Sequence, residues 1–295
     1  MDELPDWAHE HWVEHGYVVA PLLDADEVDA VLENIYDYLP SWDEFSRRRS
    51  RYQHLRHPQA TWCTFPFVGS ALNNVPLHPA LVAFAERVLR TDKLLLNESQ
   101  LIGKYAGLGD YEQELHVDFG NTTLACPPPD DQITDLPMIV YYTDVTVELG
   151  ATHVVSKQHV APGPYRARVR ARSETPDLYC HEVPVTAPAG SVLIYSMNTW
   201  HRGTAMTATE GARFSHHTGF RRQDAPWCGQ FTFVGQGGRP EMDTFLVNAT
   251  PRQRALVGFP SVDDPYWTSY TLAGIAARYP TMDLSPYEEQ MGTRH

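Results

Sequence analysis

Residues 191–204 have the sequence SVLIYSMNTWHRGT, and residues 213–220 have the sequence RFSHHTGF. The run SVLIY is short, continuous and apolar, which is typical of a buried strand, and a second strand pattern begins at Arg213. Outward from these two segments, similar short runs bounded by Pro, Gly and Asp recur at residues 94–105, 122–125, 138–143, 151–155, 182–185 and 230–234. Eight short strands at this spacing predict a sandwich or a barrel.

Helical patterns flank the predicted β core. The segment Asp24-Ala25-Asp26-Glu27 is a capping-type helix start, and apolar residues follow it at helical spacing: Val28, Val31, Leu32, Ile35 and Leu39. A second helix is predicted over residues 78–90, and helices and loops are predicted after residue 241. We therefore predict one domain over residues 1–295, mainly β with flanking helices. It consists of a helical N-terminal layer (1–93), a β core (94–236) and a C-terminal cap (237–295).

Charge and composition exclude several classes of function. Lys and Arg total 23 and Asp and Glu total 37, so the net charge of 23 − 37 = −14 argues against nucleic acid as a partner. No apolar run approaches the roughly 18–20 residues that span a bilayer, so we expect no membrane partner. Residues 1–12 lack a signal-peptide pattern, and the four cysteines are widely spaced without a CxxC motif. These features predict a cytoplasmic protein with reduced thiols.

Two histidines and one carboxylate form the strongest chemical pattern in the chain. His116 and Asp118 are two residues apart at the start of the strand-rich region, so on a strand they point to the same side. His201 follows the apolar strand 191–195 and precedes a glycine. Two imidazoles and one carboxylate are the facial triad of non-haem Fe(II) oxygenases, and Arg213 offers a fork for a dicarboxylic acid. Taken singly, each residue has an ordinary alternative as a core histidine, a surface aspartate or an exposed arginine.

Together these segments resemble the phytanoyl-CoA dioxygenase family of Fe(II)/2-oxoglutarate oxygenases. The resemblance extends from Gly16 to Phe220, about two thirds of the chain. It rests on the following segments: HGYVV (15–19), His116-x-Asp118, TDVT (143–146), LGAT (149–152), AGSVLI (189–194) and HRGT (201–204). Each segment alone is weakly specific, but the set is specific.

The resemblance implies a fold, a metal centre and a co-substrate site. The implied fold is a double-stranded β-helix, the jelly-roll or cupin-like barrel, with Fe(II) at its mouth. The implied metal ligands are His116, Asp118 and His201, and the implied co-substrates are 2-oxoglutarate and O₂. The residues implied at the 2-oxoglutarate site or its pocket are Arg213 on the C5 carboxylate, with Lys104, Gln100, Thr204 and Tyr142.

The predicted activity is that of a 2-oxoglutarate-dependent dioxygenase. It would hydroxylate a small metabolite or a natural-product intermediate and release succinate and CO₂. The first alternative keeps the barrel and the metal but not the redox chemistry, as in a lyase, an epimerase or a sensor. Arg213 distinguishes this alternative from the predicted dioxygenase, because a 2-oxoglutarate site needs an arginine and a bare metal site does not. The second alternative is an interaction module with a coincidental triad and no metal.

Three departures from the family pattern concern the fine contacts of the pocket. Arg213 follows His201 by twelve residues rather than eleven, the segment SKQH (156–159) replaces PGSH, and Gly203 stands where several relatives carry Ser. Halogenases of the family replace the metal-binding aspartate with a small residue. The presence of Asp118 therefore favours oxygenation over halogenation.

Other polar groups have less specific interpretations. The arginine-rich segments 46–51 and 166–172 are interpreted mainly as solvated surfaces, with an anion clamp or an oligomer contact as the alternative. The sequence is compatible with a homodimer but does not predict one. His153 and His159 are interpreted as surface or core residues in preference to a second metal site.

Overall fold

A computed structural model describes residues 3–108, 111–118, 130–160, 169–225 and 240–292. Eleven strands in these residues form two antiparallel sheets. The six-stranded sheet has the order β1-β9-β5-β11-β3-β2, with β1 (Tyr17–Pro21), β2 (Trp62–Thr64), β3 (Leu94–Tyr105), β5 (Asp135–Tyr141), β9 (Ser191–Tyr195) and β11 (Ala212–Arg222). The five-stranded sheet has the order β7-β4-β10-β6-β8, with β4 (Leu115–His116), β6 (His153–Val155), β7 (Val169–Arg170), β8 (Glu182–Pro184) and β10 (His201–Arg202).

Strand alternation gives the six-stranded sheet two different faces. On β11, Phe214 and Phe220 join the large apolar core that the sheet shares with the helices. Ile139 of β5 and Leu193 of β9 belong to a smaller apolar cluster inside the barrel. Successive side chains on a strand point to opposite faces, so Arg213, Ser215 and His217 of β11 lie on the inner face with this smaller cluster. The candidate functional side chain Arg213 therefore lies on the inner face of this sheet.

Ten helices flank the sheets, and several of them, including α2, begin at a side-chain cap. The helices are α1 (Asp6–His15), α2 (Ala25–Ile35), α3 (Trp42–Arg47), α4 (Ser70–Asn74), α5 (Pro79–Leu89), α6 (Pro176–Tyr179), α7 (Pro240–Asn248), α8 (Pro251–Leu256), α9 (Ser269–Arg278) and α10 (Ser285–Gly292), in the described residues. The Asp24 side chain accepts from the Glu27 backbone N–H at 2.9 Å, and Glu27 returns a bond to the Asp24 N–H at 2.9 Å. This reciprocal pair fixes the start of α2 at the predicted position.

The predicted fold class is confirmed: antiparallel sheets with flanking helices make a jelly-roll architecture. The runs 94–105 and 191–195 match β3 and β9 at both ends, whereas the runs 122–125 and 230–234 lie outside the described residues. The sequence did not predict β2, β7 or β10, which are two or three residues long; the equally short β6 and β8 were predicted only because each lies within a longer run, 151–155 or 182–185. Among the described residues, no helix is long and apolar enough to cross a membrane.

Candidate metal centre and anion pocket

The three predicted metal ligands meet where two strands of the five-stranded sheet pair. His201 of β10 lies directly opposite His116 of β4 in the antiparallel register, and the two ring centroids are 4.4 Å apart. Asp118 follows β4, and its backbone N–H donates to Met197 O at 3.2 Å. One ligand atom from each of the three side chains lies within 4.8 Å of the others. Among the described residues, this is the only group of three or more ligating side chains that could hold a metal ion.

Local hydrogen bonds orient both imidazoles in the same way. His116 Nδ1 lies 2.9 Å from Glu114 O, and His201 Nδ1 lies 3.0 Å from Thr199 O. A carbonyl oxygen can only accept, so Nδ1 carries a proton in each ring, and Nε2 is the nitrogen that faces the site. His116 Nε2 is 4.0 Å from Asp118 Oδ1, and His201 Nε2 is 3.4 Å from Asp118 Oδ2. Two imidazoles and one carboxylate are a ligand set that fits non-haem Fe(II).

Two buried cations lie side by side further along the inner face. Arg213 of β11 pairs in register with Lys104 of β3, and they are 6% and 5% exposed. Lys104 Nζ donates to Thr204 O at 2.8 Å and lies 4.4 Å from the centroid of the Tyr111 ring. Arg213 Nη1 donates to Gly150 O, while its buried Nε has no hydrogen-bond partner in the described chain.

The electrostatics of this pair favour an anionic ligand. Burial and the Arg213 guanidinium lower the pKa of Lys104 to about 7, and burial lowers the pKa of Arg213. Neither side chain forms an ion pair with a carboxylate in the described residues. Two adjacent buried cations without an acidic partner are costly unless an anion binds them.

Gln100 and Thr204, two further residues predicted at the pocket, differ in how their side chains are placed. Gln100 of β3 is half-buried on the inner face and pairs in register with His217. Thr204 lies next to the cations, but its hydroxyl donates to Ala151 O at 2.7 Å and its carbonyl accepts from Lys104. The Thr204 hydroxyl proton is therefore already used within the protein.

The assignment of Tyr142 to the pocket is wrong in this structure. Tyr142 is fully buried in the large core between the sheet and the helices, and its hydroxyl lies 2.8 Å from His216 Nδ1. Its neighbour Tyr141 lies in the inner cluster. Burial raises the pKa of Tyr141, and the nearby Arg213 guanidinium partly offsets this rise. A difference of one residue along a strand exchanges the two faces.

Three inner-face groups were missed by the sequence analysis: Tyr141, Tyr195 and Glu98. Counting by twos from Lys104 and Gln100 reaches Glu98, so strand alternation could have indicated it; in the same way, counting by twos from Arg213 places His217 on the inner face. Burial, followed by the Asp118 carboxylate, raises the pKa of Glu98 to about 7. Burial and the Arg213 charge lower the pKa of His217 to about 4, so this imidazole is neutral near pH 7.

The secondary candidates have ordinary structural partners. His153 Nδ1 lies 3.4 Å from Glu182 Oε2, and the His159 ring stacks on His181 at 4.1 Å. In the first arginine-rich segment, Arg47 forms an exposed ion pair with Asp43. Residues 166–168 of the second segment lie outside the described residues.

One comparison with known proteins identifies a family, and another finds solved structures of the same fold. The family model described as phytanoyl-CoA dioxygenase (PhyH) matches residues 12–214. SnoK, a non-haem α-ketoglutarate-dependent carbocyclase from nogalamycin biosynthesis, is 21% identical with a TM-score of 0.53, over 76% of this chain and 86% of SnoK. The epimerase SnoN, solved with Fe³⁺, α-ketoglutarate and nogalamycin RO, is 20% identical with a TM-score of 0.54, over 75% of this chain and 85% of SnoN.

A third solved structure has the same fold. HygX from Streptomyces hygroscopicus, with nickel and 2-oxoglutarate bound, is 17% identical with a TM-score of 0.51, over 75% of this chain and 88% of HygX. No curated protein sequence matches the chain.

Proposed function

Because the chain belongs to the phytanoyl-CoA dioxygenase family, we propose that it is a non-haem Fe(II)/2-oxoglutarate-dependent dioxygenase. It would hydroxylate a small metabolite or natural-product intermediate in the cytoplasm, with release of succinate and CO₂. One observation carries the proposal: the inner face of one barrel holds both a His-Asp-His triad and a buried Lys104–Arg213 pair that forms no ion pair among the described residues. A bare metal site needs the triad alone, whereas 2-oxoglutarate needs both.

The metal site would be formed by the Nε2 atoms of His116 and His201 and by the Asp118 carboxylate. Bound Fe(II) and 2-oxoglutarate supply the oxidative decarboxylation that activates O₂. The protein binds and orients these groups. The carbonyls of Glu114 and Thr199 hold both rings with Nε2 facing the metal.

The anion pocket would bind the C5 carboxylate of 2-oxoglutarate. Arg213 has an unused buried Nε donor, and Lys104 has donors beyond the one it gives to Thr204 O. Charge-assisted hydrogen bonds from both would neutralise the pocket. The apolar cluster behind it, including Ile139 and Leu193, excludes water and strengthens these contacts.

The substrate is proposed to be a small molecule. The net charge of −14 does not favour nucleic acid, and SnoN and HygX have both been solved with natural products, nogalamycin RO and hygromycin B. Epimerisation is the second candidate outcome, because SnoN is an epimerase that binds α-ketoglutarate. The mass of the product distinguishes hydroxylation from epimerisation: hydroxylation adds one oxygen atom, and epimerisation leaves the mass unchanged.

Anaerobic titration with Fe(II) and then 2-oxoglutarate tests the proposal. We expect a visible metal-to-ligand charge-transfer band in the wild type and none in His116→Ala. In Arg213→Met the band should appear only at much higher 2-oxoglutarate concentration. Iron binding without a band in the wild type would contradict the 2-oxoglutarate site and favour a non-oxidative metal protein. Failure of the wild type to bind iron would leave only an interaction module.

A further inference from the structure

The third metal ligand is oriented differently from the two histidines. His116 and His201 are each fixed by a backbone carbonyl two residues earlier in the chain. The Asp118 carboxylate is instead held from the opposite sheet, because the Tyr195 hydroxyl donates to Asp118 Oδ2 at 3.0 Å. This hydrogen bond connects the six-stranded sheet to the ligand set of the five-stranded sheet.

Tyr195 occupies a rigid position. It is the last residue of β9, which pairs with β1 on one side and β5 on the other, and Tyr195 itself pairs with Tyr17. Its side chain is buried, and its ring centroid lies 4.6 Å from that of His201. A phenol held in this way has few alternative rotamers, so its hydroxyl is a fixed point against which a carboxylate can be oriented.

The direction of the hydrogen bond follows from the chemistry of the two groups. A carboxylate oxygen can only accept a hydrogen bond, whereas the Tyr195 phenol has an O–H to donate. Tyr195 is therefore the donor and Asp118 the acceptor. The bond fixes rotation of the carboxylate about its Cβ–Cγ axis and occupies a lone pair on Oδ2.

We propose that Tyr195 is a positioning residue for the metal centre, which holds Asp118 so that this carboxylate binds the metal through one oxygen. This inference rests on the proposed function. A carboxylate bound through one oxygen occupies a single coordination position, whereas a freely rotating one can chelate through both. Restricting Asp118 to one position leaves the remaining positions open for co-substrate. Hydrogen-bond partners of this kind commonly contribute 10- to 100-fold to metal affinity.

Co(II) titration of the metal-free protein, followed by calorimetry and visible absorption, tests this role without turnover. We expect Tyr195→Phe to bind Co(II) about 10- to 100-fold more weakly than the wild type, with altered d–d bands because the carboxylate is free to chelate. Tyr142→Phe is the matched control. It removes a buried phenol that bonds to His216 outside the site, and it should bind Co(II) like the wild type.

A double-mutant cycle distinguishes positioning from general damage. In an Asp118→Ala background, Tyr195→Phe should change Co(II) affinity by less than about twofold, because the group through which it acts is gone. An equal loss of affinity in both backgrounds would overturn the proposal, as would unchanged affinity in Tyr195→Phe. If Tyr195→Phe is unstable, Tyr195→Met replaces it, since Met also lacks the donor and fills space flexibly. No Co(II) binding by the wild type would overturn the proposed function itself.

Discussion

Buried polar side chains on the inner face of the barrel bond to backbone oxygen atoms, and the two cationic ones have further donors that no described residue accepts from. Lys104 Nζ donates to Thr204 O, Arg213 donates to Gly150 O, and the Thr204 hydroxyl donates to Ala151 O. An ammonium group and a guanidinium group each have several N–H donors, so one backbone bond does not exhaust either. The two side chains are thereby positioned before a ligand arrives, which reduces the entropy cost of binding an anion.

Arg213 should contribute most of the affinity for 2-oxoglutarate. We expect Arg213→Met to weaken 2-oxoglutarate binding by about 30-fold or more, because loss of one partner of a buried charged pair costs about 2–5 kcal/mol. Calorimetric titration of the Co(II) protein with 2-oxoglutarate measures this. Co(II) affinity serves as the internal control, because Arg213 is not in the ligand set and the metal should still bind. A 2-oxoglutarate affinity equal to that of the wild type would exclude Arg213 from the pocket.

Lys104 should make 2-oxoglutarate binding dependent on pH. Its pKa lies at about 7, lowered by burial and by Arg213, so the free site loses its ammonium charge as pH rises through 7. Binding a carboxylate favours the protonated form, so above pH 7 binding requires proton uptake. The apparent Kd should then rise by up to about tenfold per pH unit.

Titrations from pH 6 to 9 test this pH dependence, with Lys104→Met as the non-titrating control. The variant should bind 2-oxoglutarate more weakly at pH 6, with a flatter profile above pH 7. Parallel profiles for the two proteins would show that another group titrates.

Turns between elements fix how the strands are presented to the site. Gly190 precedes β9 and has φ of +83°, a left-handed conformation that glycine adopts without strain. Its N–H donates to Tyr141 O at 2.8 Å, and its carbonyl accepts from the N–H groups of Leu22 and Leu23 at 2.9 Å. This one residue joins β9 to the end of β5 and to the chain that leaves β1.

Replacing this glycine should destabilise the barrel. A Cβ at position 190 would lie 2.4 Å from Leu23 O, so Gly190→Ala should lower the free energy of unfolding by about 1–3 kcal/mol or more. Gly274→Ala is the matched control. Gly274 lies in α9 with no atom within 4 Å of an added Cβ, so the change should stabilise by about 0.5–1 kcal/mol. Urea unfolding of both variants measures the two changes in the free energy of unfolding. Equal changes would contradict the steric argument.

The whole molecule places negative and positive groups at different parts of one inner face. The Asp118 ligand and the nearby Glu98 carboxyl group are at one part of this face, whereas Lys104 and Arg213 pair further along β3 and β11. Besides burial, Arg213 and Lys104 on one side and Asp118 on the other act on the pKa of His217, so this side chain lies within range of both groups. A metal cation and a dicarboxylate can therefore be held in one barrel by separate sets of charges.

Metal and 2-oxoglutarate should stabilise the fold together. A ligand that binds only the folded state adds about 2.7 kcal/mol at 100 times its Kd, so Co(II) should raise the Tm by several degrees and 2-oxoglutarate should raise it further. Thermal denaturation with and without each ligand measures this. In His116→Ala the Co(II) shift should be largely lost. A shift with 2-oxoglutarate that does not depend on metal would contradict a shared site.

Local sequence determined much of the architecture. The apolar run of β9, the alternation of β3 and the capping box of α2 depend on neighbouring residues, and each was predictable from them. The residue types of the triad were also evident, because His116 and Asp118 are close in sequence and His201 follows a strong strand. The very short strands β4, β7 and β10 carry no periodic signal of their own, so they form through their pairing with neighbouring strands.

Only the tertiary structure decided which inner-face groups meet. It placed Tyr141 rather than Tyr142 inside the barrel, brought Glu98 towards Asp118, and joined the Tyr195 hydroxyl to the Asp118 carboxylate across the two sheets. Strand alternation limits each residue to one of two faces, but the choice of face depends on register, and contact across the barrel depends on how the two sheets pack. Both are set by long-range pairing and burial, which no local stretch of sequence contains.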